Sequence, residues 1–254
     1  MTVDWHIHKA AIWRPRTHTL RAVTHIDTIG LEDLKQIDVQ KRLLLENTVN
    51  FVNGAAVNNV LMWGARGTGK SSLVKALLNK FADRGLRIVE VDRDDLVDLA
   101  EIVDEIRELS YRFIIFCDDL SFAEGETSYK ALKSVLDGSI ESPPDNIALY
   151  ATSNRRHLLP EHSSDNQDVA IVNGELHYGD LVEEKLSLAD RFGLWVSFYP
   201  FSWEEYFGLI DHYFAEYKGD MLAVREEARQ FALSRATHSG RTAKQFYKHF
   251  MAAL

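Results

Sequence analysis

The residues best suited to chemistry are Gly64 to Ser71, which combine three glycines with a lysine and a hydroxyl side chain. Their order fits the pattern G-x-x-x-x-G-K-[ST]. Glycines let the backbone curl until several N–H groups face one anion, and a following helix N-terminus adds partial positive charge. The stretch therefore predicts a phosphate-binding loop, and an ordinary glycine turn is the alternative. The predicted loop residues are Gly64, Ala65, Arg66, Gly67, Thr68, Gly69, Lys70, Ser71 and Ser72.

Two acidic residues, Asp118 and Asp119, directly follow the apolar run Phe113–Cys117, which predicts a buried strand. Ligands of open α/β sheets bind beyond the carboxyl ends of the strands. Asp118 would therefore face a nucleotide-bound Mg²⁺ ion that Ser71 also contacts, and Asp119 would orient or deprotonate an attacking water. Alone, the acidic pair is a weak signal, because many strands simply end in polar loop residues. Downstream of a phosphate-binding loop, it predicts the acidic half of a nucleotide site.

Three further polar residues are candidates for contact with a γ-phosphate. Asn154 ends the fourth predicted strand, where an amide can hydrogen-bond a water or a phosphate oxygen. Arg191 precedes the fifth strand, and Arg241 opens the last helix. An arginine in the first turn opposes the helix dipole, which is tolerable where an anion faces it. The alternatives are a turn residue for Asn154 and a solvated surface position for both arginines.

Apolar runs that alternate with helical stripes must position these residues. Strands that are apolar on both faces, separated by helices, predict a parallel sheet covered on both sides. We therefore predict an α/β fold, a three-layer αβα domain with a parallel five-stranded sheet. The predicted strands are Val57–Trp63, Leu86–Val91, Phe113–Cys117, Ile147–Thr152 and Leu194–Phe198.

The chain is predicted to divide into three parts. Residues 1–27, rich in His, Thr, Arg and Trp without a clear apolar period, form an N-terminal arm that packs on something larger. Residues 28–199 form the nucleotide-binding α/β domain, with a hairpin-bearing insertion at about 155–187 that contains an Asn-Gly turn signal. Residues 200–254 carry only helical patterns and a capping box, and predict a small all-helical module.

Composition excludes several other classes of protein. The 254 residues are 46% apolar and 26% charged, as in ordinary globular domains. The one cysteine, Cys117, excludes an internal disulfide and favours a reducing compartment, and no apolar run suits a membrane span. We expect a cytoplasmic protein with no membrane partner. A net charge of −9 disfavours generic nucleic-acid binding, although a short basic cluster at 155–157 leaves a local contact open.

The order of these motifs resembles that of the AAA+ class of P-loop ATPases. Within that class, the chain resembles the bacterial ATP-binding family catalogued as domain of unknown function 815. Together with their spacing, the matching stretches cover nearly the whole chain. These stretches are Asn58–Ser72, Phe116–Phe122, Tyr150–Leu158 and Asp190–Trp195.

The resemblance implies a role for each residue of the nucleotide site, with ATP and Mg²⁺ as the cofactors. Lys70 and Ser71 would be Walker A residues, and Asp118 the Walker B aspartate. Asn154 would be sensor 1. Many AAA+ proteins carry Glu at the position of Asp119, and the shorter aspartate reaches less far towards a water.

The resemblance also implies contacts beyond the loop. Arg191 would be an arginine finger that acts on a neighbouring subunit's nucleotide, which implies a homo-oligomer. Arg241 would be sensor 2 on a helical lid, formed by residues 200–254, and Ile29 and Gly30 would lie near the adenine. AAA+ proteins that thread polypeptides usually carry an aromatic loop after the second strand, whereas this chain has Asp92–Asp95, which argues against that activity.

Three functions remain open from the sequence. The main hypothesis is a Mg²⁺-dependent ATPase that acts as a nucleotide-gated switch or remodeller on an unknown protein or nucleic-acid client. The first alternative is an ATP-binding scaffold with little turnover, suggested by the short Asp119. The second is a P-loop phosphotransferase, since small-molecule kinases use the same loop.

Overall fold

The computed structural model describes residues 3–121, 132–133, 144–154, 170–172, 175–177 and 191–253. The strands are β1 (Ala10–Arg14), β2 (Thr19–Ala22), β3 (Val60–Gly64), β4 (Leu86–Glu90), β5 (Arg112–Cys117), β6 (Ile147–Ser153), β7 (Ala170–Val172), β8 (Glu175–His177) and β9 (Leu194–Phe198). The α-helices are α1 (Asp38–Val52), α2 (Lys70–Phe81), α3 (Leu99–Ile106), α4 (Trp203–Tyr213), α5 (Met221–Ser234) and α6 (Gly240–Met251).

The main sheet has the strand order β2-β1-β4-β5-β6-β3-β9. Its five strands from β4 to β9 pair in parallel, which confirms the predicted α/β class. Successive side chains of a strand point to opposite faces. In β5, Ile114 and Phe116 join the core beneath α1 and α2, whereas Phe113, Ile115 and Cys117 join the core beneath α3. The sheet is therefore buried on both faces, as a three-layer αβα arrangement requires.

The predicted count of five strands is corrected to seven by the N-terminal residues. In this region β1 pairs in parallel with β4 and antiparallel with β2, so both strands extend the sheet at one edge. Ala11, Trp13 and Leu20 are buried there, and the Trp13 indole N–H donates to Asp98 at 2.9 Å. The apolar run of β1, Ala10–Trp13, lies in a segment otherwise rich in His, Thr and Arg, and β2 buries only Leu20, which is why the sequence pattern did not reveal them.

The order of β3, β5 and β6 in the sheet decides where polar side chains meet. Strand β6 lies between β3 and β5, so its carboxyl end separates the end of β3 from the end of β5. The register aligns Ala151 with Cys117 and Thr152 with Met62. Residues that follow these positions along β6 therefore lie between the predicted phosphate-binding loop and the predicted acidic pair.

The C-terminal helices pack as a unit on the same core. Ser202 caps α4 in the predicted capping box, accepting from the Glu205 N–H at 3.2 Å, while the Glu205 carboxylate accepts from the Ser202 N–H at 2.6 Å. Tyr206, Phe214 and Phe246 are buried in a cluster that is continuous with the core over α2. This packing fixes the start of α6 against the loop that follows β3.

Between β6 and β9, only two short strands are described. The pairing of β7 with β8 is antiparallel, with Ala170 opposite His177, as the hairpin signal predicts. The rest of the predicted insertion, including its Asn-Gly turn and the basic cluster at 155–157, lies outside the described residues. In the described part of the chain, every helix is too short or too polar to cross a lipid bilayer.

Candidate nucleotide-binding site

The loop between β3 and α2 depends on glycines at three positions. Gly64, Gly67 and Gly69 have φ angles of 127°, 75° and 100°, a region that L side chains rarely adopt. A Cβ on Gly64 would lie 2.0 Å from the carbonyl oxygen of Phe198. The Ala65 N–H donates to that same oxygen at 2.8 Å, which ties the loop to β9. The backbone therefore has the curled form that phosphate binding requires.

Lys70 places its ammonium group inside this loop. The side chain is only 7% exposed, and Nζ donates to the Gly64 and Ala65 carbonyl oxygens at 2.9 and 2.7 Å. A third hydrogen bond, at 3.3 Å, reaches Asn154 Oδ1. Burial lowers the pKa of Lys70 to about 8, although attraction to nearby carboxylates opposes the change. A buried ammonium group in the loop is suited to contact phosphate oxygens.

Asp118 is bound from both sides by hydroxyl groups. Ser71 Oγ donates to Asp118 Oδ1 at 2.6 Å, and Thr152 Oγ1 donates to the same oxygen at 2.5 Å. The carboxylate that follows β5 is thus joined to the first turn of α2. Thr152 was not predicted from the sequence, because a single threonine within the apolar strand β6 resembles any other strand residue.

A hydroxyl oxygen beside a carboxylate oxygen fits Mg²⁺, which prefers oxygen ligands. Ser71 and Asp118 would hold the ion. In the described ranges, no group of three or more His, Cys, Asp or Glu side chains is placed to bind a metal. Mg²⁺ sites in nucleotide-binding proteins commonly use one or two carboxylates, with phosphates and waters as the remaining ligands. The donor set therefore suits an ion that arrives with a nucleotide.

Asp119 and Asn154 form the second half of the polar network. Asn154 Nδ2 donates to Asp119 Oδ1, while Asn154 Oδ1 accepts from Lys70. Asp119 has a φ of 56°, in the left-handed region, and its N–H donates to Thr152 Oγ1 at 2.9 Å. One amide side chain therefore links the buried ammonium group to the carboxylate predicted to orient water.

The start of α6 contacts the loop directly. The Arg241 N–H donates to the Gly67 carbonyl oxygen at 3.3 Å, and a Cβ on Gly67 would lie 2.7 Å from Ser239 Oγ. The Arg241 and Arg66 side chains are exposed and line the same cavity as Lys70. The positive charge of both guanidinium groups acts to lower the pKa of Lys70, although less than burial does.

A cavity of about 940 Å³ joins the loop to an apolar wall. Its size suits a nucleotide. The wall includes the predicted Ile29, together with residues that the sequence did not single out as ligands. Two of those, Tyr213 and Tyr247, stack with their ring centroids 5.7 Å apart. Tyr247 lies among apolar residues at helical spacing, Ala243, Phe246 and Phe250, so no separate signal marked it as a ligand. The other apolar wall residues are Leu34, Ile37, Phe201 and Leu209.

The predicted site residues do not all reach the cavity. The lining includes Arg66–Ser72, Asp118, Asp119, Asn154 and Arg241, whereas Gly64, Ala65 and Gly30 lie outside it. Asn79, in α2, donates from Nδ2 to the Ile29 carbonyl oxygen at 2.8 Å and holds Ile29 and Gly30 close to that helix. The Gly30 N–H donates to the Asp33 carboxylate at 2.7 Å, which stabilises the turn at this position.

Arg191 lies far from the other candidates. It precedes β9 and therefore lies at the amino end of the parallel strands, whereas the loop lies at their carboxyl end. The five residues of β9 alone span about 16 Å. Phe192 is buried, and its carbonyl oxygen accepts from the Trp195 indole N–H at 2.7 Å, which anchors this segment. Arg191 is not among the residues that line the cavity of its own chain.

The sheet order, the loop and the helical module on top of it define an AAA+ P-loop fold. A point mutant of Thermotoga maritima RuvB matches with a TM-score of 0.53 and 19% identity, over 85% of this chain and 62% of that chain. Thermotoga maritima RuvB, described as a Holliday junction branch migration motor, gives a TM-score of 0.47 and 14% identity, over 86% of this chain and 71% of that chain. The chain thus spans less than two thirds of the first of these proteins.

The chain belongs to the family described as "Protein of unknown function (DUF815)", whose model matches residues 6–254. The resemblance seen in the sequence is therefore confirmed. No curated protein matches the sequence.

Proposed function

We propose that this protein is a Mg²⁺-dependent ATPase that acts as a nucleotide-gated switch or remodeller on a macromolecular client. The observation that carries the proposal is the 2.6 Å hydrogen bond from Ser71 in the first turn of α2 to Asp118 at the end of β5. It brings the predicted hydroxyl and carboxylate ligands of Mg²⁺ together. Lys70 lies in the same cavity.

The chemistry would be in-line attack of water on the γ-phosphate. Asp119 would orient the water and accept its proton, and Lys70 would stabilise charge on the phosphate oxygens. Asn154, bonded to both residues, would hold them in register. Mg²⁺ would neutralise charge on the β- and γ-oxygens. Arg241 would add a guanidinium group from the helical lid. Its backbone N–H already donates to the Gly67 carbonyl oxygen of the loop.

We further propose a homo-oligomer in which Arg191 completes the neighbour's site. Arg191 lies at the amino end of the parallel strands, away from the phosphate-binding loop, which argues against contact with a nucleotide bound to its own chain. A guanidinium group supplied in trans stabilises transition-state charge and is worth about 10³- to 10⁵-fold in rate. Such a protein would bind ATP as a dilute monomer but hydrolyse it slowly, so its specific activity should rise with protein concentration.

An ATP-binding scaffold with little turnover is the second candidate. The observation in its favour is that Asp119 is one methylene shorter than glutamate and already accepts a hydrogen bond from Asn154. A carboxylate held in this way has less freedom to reach a water. The two functions predict different fates for bound ATP, since only an ATPase releases phosphate steadily.

The client is proposed only as a protein or a nucleic acid. The described function of the RuvB motor concerns Holliday junctions, but the net charge of −9 here disfavours non-specific contact with DNA. Substituting Asp119→Asn should slow turnover and trap the ATP-bound form. Molecules that co-purify with this variant in ATP, but not in ADP, would be client candidates.

Steady-state phosphate release from the full chain, with ATP and with Mg²⁺ or EDTA, tests the proposed activity. We expect Mg²⁺-dependent release that Lys70→Ala reduces to background, because this variant removes the ammonium group from the loop. Lys80→Ala is the matched control, since Lys80 is an exposed residue of the same helix and does not line the cavity. ATP that stays intact in the native chain would favour the scaffold, and release that survives Lys70→Ala would refute this site.

A further inference from the structure

Thr152 makes an unusual set of hydrogen bonds at the end of β6. Thr152 is only 2% exposed, and its Oγ1 donates to Asp118 Oδ1 at 2.5 Å. The same Oγ1 accepts from the Asp119 N–H at 2.9 Å. Because a backbone N–H can only donate, the single hydroxyl proton is left for Asp118. The direction of both hydrogen bonds is therefore fixed by chemistry.

The backbone of Thr152 adds a third bond to the same turn. Its carbonyl oxygen accepts from the Leu120 N–H at 2.6 Å. Three consecutive residues, Asp118 to Leu120, are thus bound by one residue of the neighbouring strand. Asp119 lies in the left-handed region, which is uncommon for a residue with a side chain and persists where surrounding contacts hold it. Thr152 provides one contact to Asp119 itself and one to each of the two residues beside it.

The topology explains why this residue can reach both carboxylate positions. Strand β6 is hydrogen-bonded to β5, and Ala151 is paired with Cys117, so Thr152 comes level with the first residue beyond β5. Ser71 also donates to Asp118 Oδ1, but the loop pattern assigns Ser71 to Mg²⁺ itself. Thr152 is the hydroxyl donor to Asp118 that has no such second duty.

We propose that Thr152 is a positioning residue for Mg²⁺ binding, a role that rests on the proposed function. Its hydroxyl group fixes the orientation of the Asp118 carboxylate and ties the Asp119 backbone to the same point. Partners of ligating carboxylates commonly change metal affinity or activity by about 10- to 100-fold when they are removed. Loss of this hydroxyl should therefore weaken metal binding while nucleotide binding without metal is retained.

The test compares Thr152→Val, which keeps the shape of the side chain, with Thr152→Ser, which keeps the hydroxyl. Mn²⁺ is titrated into the full chain saturated with ADP, and binding is followed by electron paramagnetic resonance, so that no turnover is needed. We expect about tenfold weaker Mn²⁺ binding for Thr152→Val and a much smaller change for Thr152→Ser. ADP affinity in EDTA should match that of the native chain in both variants.

Thr48→Val is the matched control for loss of a buried hydroxyl. Thr48 is fully buried, and its hydroxyl donates to the Leu44 carbonyl oxygen at 2.7 Å, outside the cavity. This variant should lower the melting temperature and leave Mn²⁺ affinity unchanged.

The outcomes distinguish failure of the role of Thr152 from failure of the proposed function. Native Mn²⁺ affinity in Thr152→Val would overturn the positioning role alone, as would an equal loss of ADP affinity in EDTA, which would indicate general damage. If the native chain binds no Mn²⁺ with ADP, the proposed function itself fails, and the role of Thr152 falls with it.

Discussion

The two ends of the parallel sheet use polar side chains in different ways. At the carboxyl end, several polar and charged side chains bond to one another, as in the contacts of Asn154 with Lys70 and Asp119. At the amino end, Asn146 Nδ2 donates to the carbonyl oxygens of residues 106, 109 and 111, at 3.1 to 3.4 Å. Asn59 Oδ1 there accepts from the Leu149 N–H at 2.8 Å. One end contains a network of side chains bonded to one another, whereas side chains at the other end bond to backbone groups.

This difference separates polar residues that perform chemistry from those that stabilise the fold. A side chain bonded to other charged side chains and facing a cavity can exchange those partners for a ligand. A side chain that satisfies buried backbone groups cannot leave without a cost in stability. Arg191 does not follow this division, because it lies at the amino end of the sheet although we propose that it acts in catalysis on a neighbouring subunit's nucleotide.

The largest kinetic effect is expected for Arg191→Ala. ATP hydrolysis should fall by about 10³-fold, because a guanidinium group is lost from the transition state, while ATP binding by each chain is retained. Phosphate release and nucleotide binding are measured on the same preparation. Arg191→Lys should recover little, since an ammonium group lacks the planar fork.

Mixed assemblies decide whether this arginine acts between chains. Chains carrying Lys70→Ala still offer Arg191, and chains carrying Arg191→Ala still offer a complete loop. Mixing the two inactive variants should restore part of the native rate. No recovery in assemblies shown to contain both chains would argue that Arg191 does not act in trans.

A smaller kinetic effect is expected at the carboxyl end for Asn154→Ala. Removing the amide separates Lys70 from Asp119, and loss of one preorganised donor costs about 10²-fold in turnover. The melting temperature should change little, because Asn154 is bonded only to side chains in the described part of the chain. A large loss of stability with unchanged turnover would show that Asn154 stabilises the fold instead of taking part in the chemistry.

The smallest kinetic effect is expected for Asn146→Ala at the amino end. Three backbone carbonyl oxygens would lose their shared donor, which should destabilise the fold by about 1–3 kcal/mol. Turnover measured well below the melting temperature should remain native. Chemical denaturation and phosphate release together check this outcome, and reduced turnover in a stable variant would show that the two ends are not separate.

The sequence predicted the parts of the site that local patterns encode. Gly64 to Ser71 is a continuous motif, and Asp118 and Asn154 each come at or just beyond the end of an apolar strand, so their place at one edge follows from the parallel topology. Strand β1 was missed because its apolar run, Ala10–Trp13, is flanked by a segment rich in His, Thr and Arg, and β2 was missed because only Leu20 of its four residues is buried.

Residues brought together by packing alone could not be predicted. Thr152 is a hydroxyl residue within an apolar strand, and nothing in its neighbours indicates two carboxylate partners. Tyr213 and Tyr247 come from separate helices and meet only when α4 packs on α6. The sequence pattern shows that these tyrosines are on helices, but not that they line a cavity with Ile29.

Binding of ATP and Mg²⁺ at this site is tested by calorimetric titration of ATP into the full chain with and without Mg²⁺, repeated with Asp118→Asn. We expect one ATP site per chain, with Mg²⁺-dependent affinity that Asp118→Asn weakens strongly. Absence of ATP binding by the native chain, or binding that neither Mg²⁺ nor Asp118→Asn alters, would contradict this expectation.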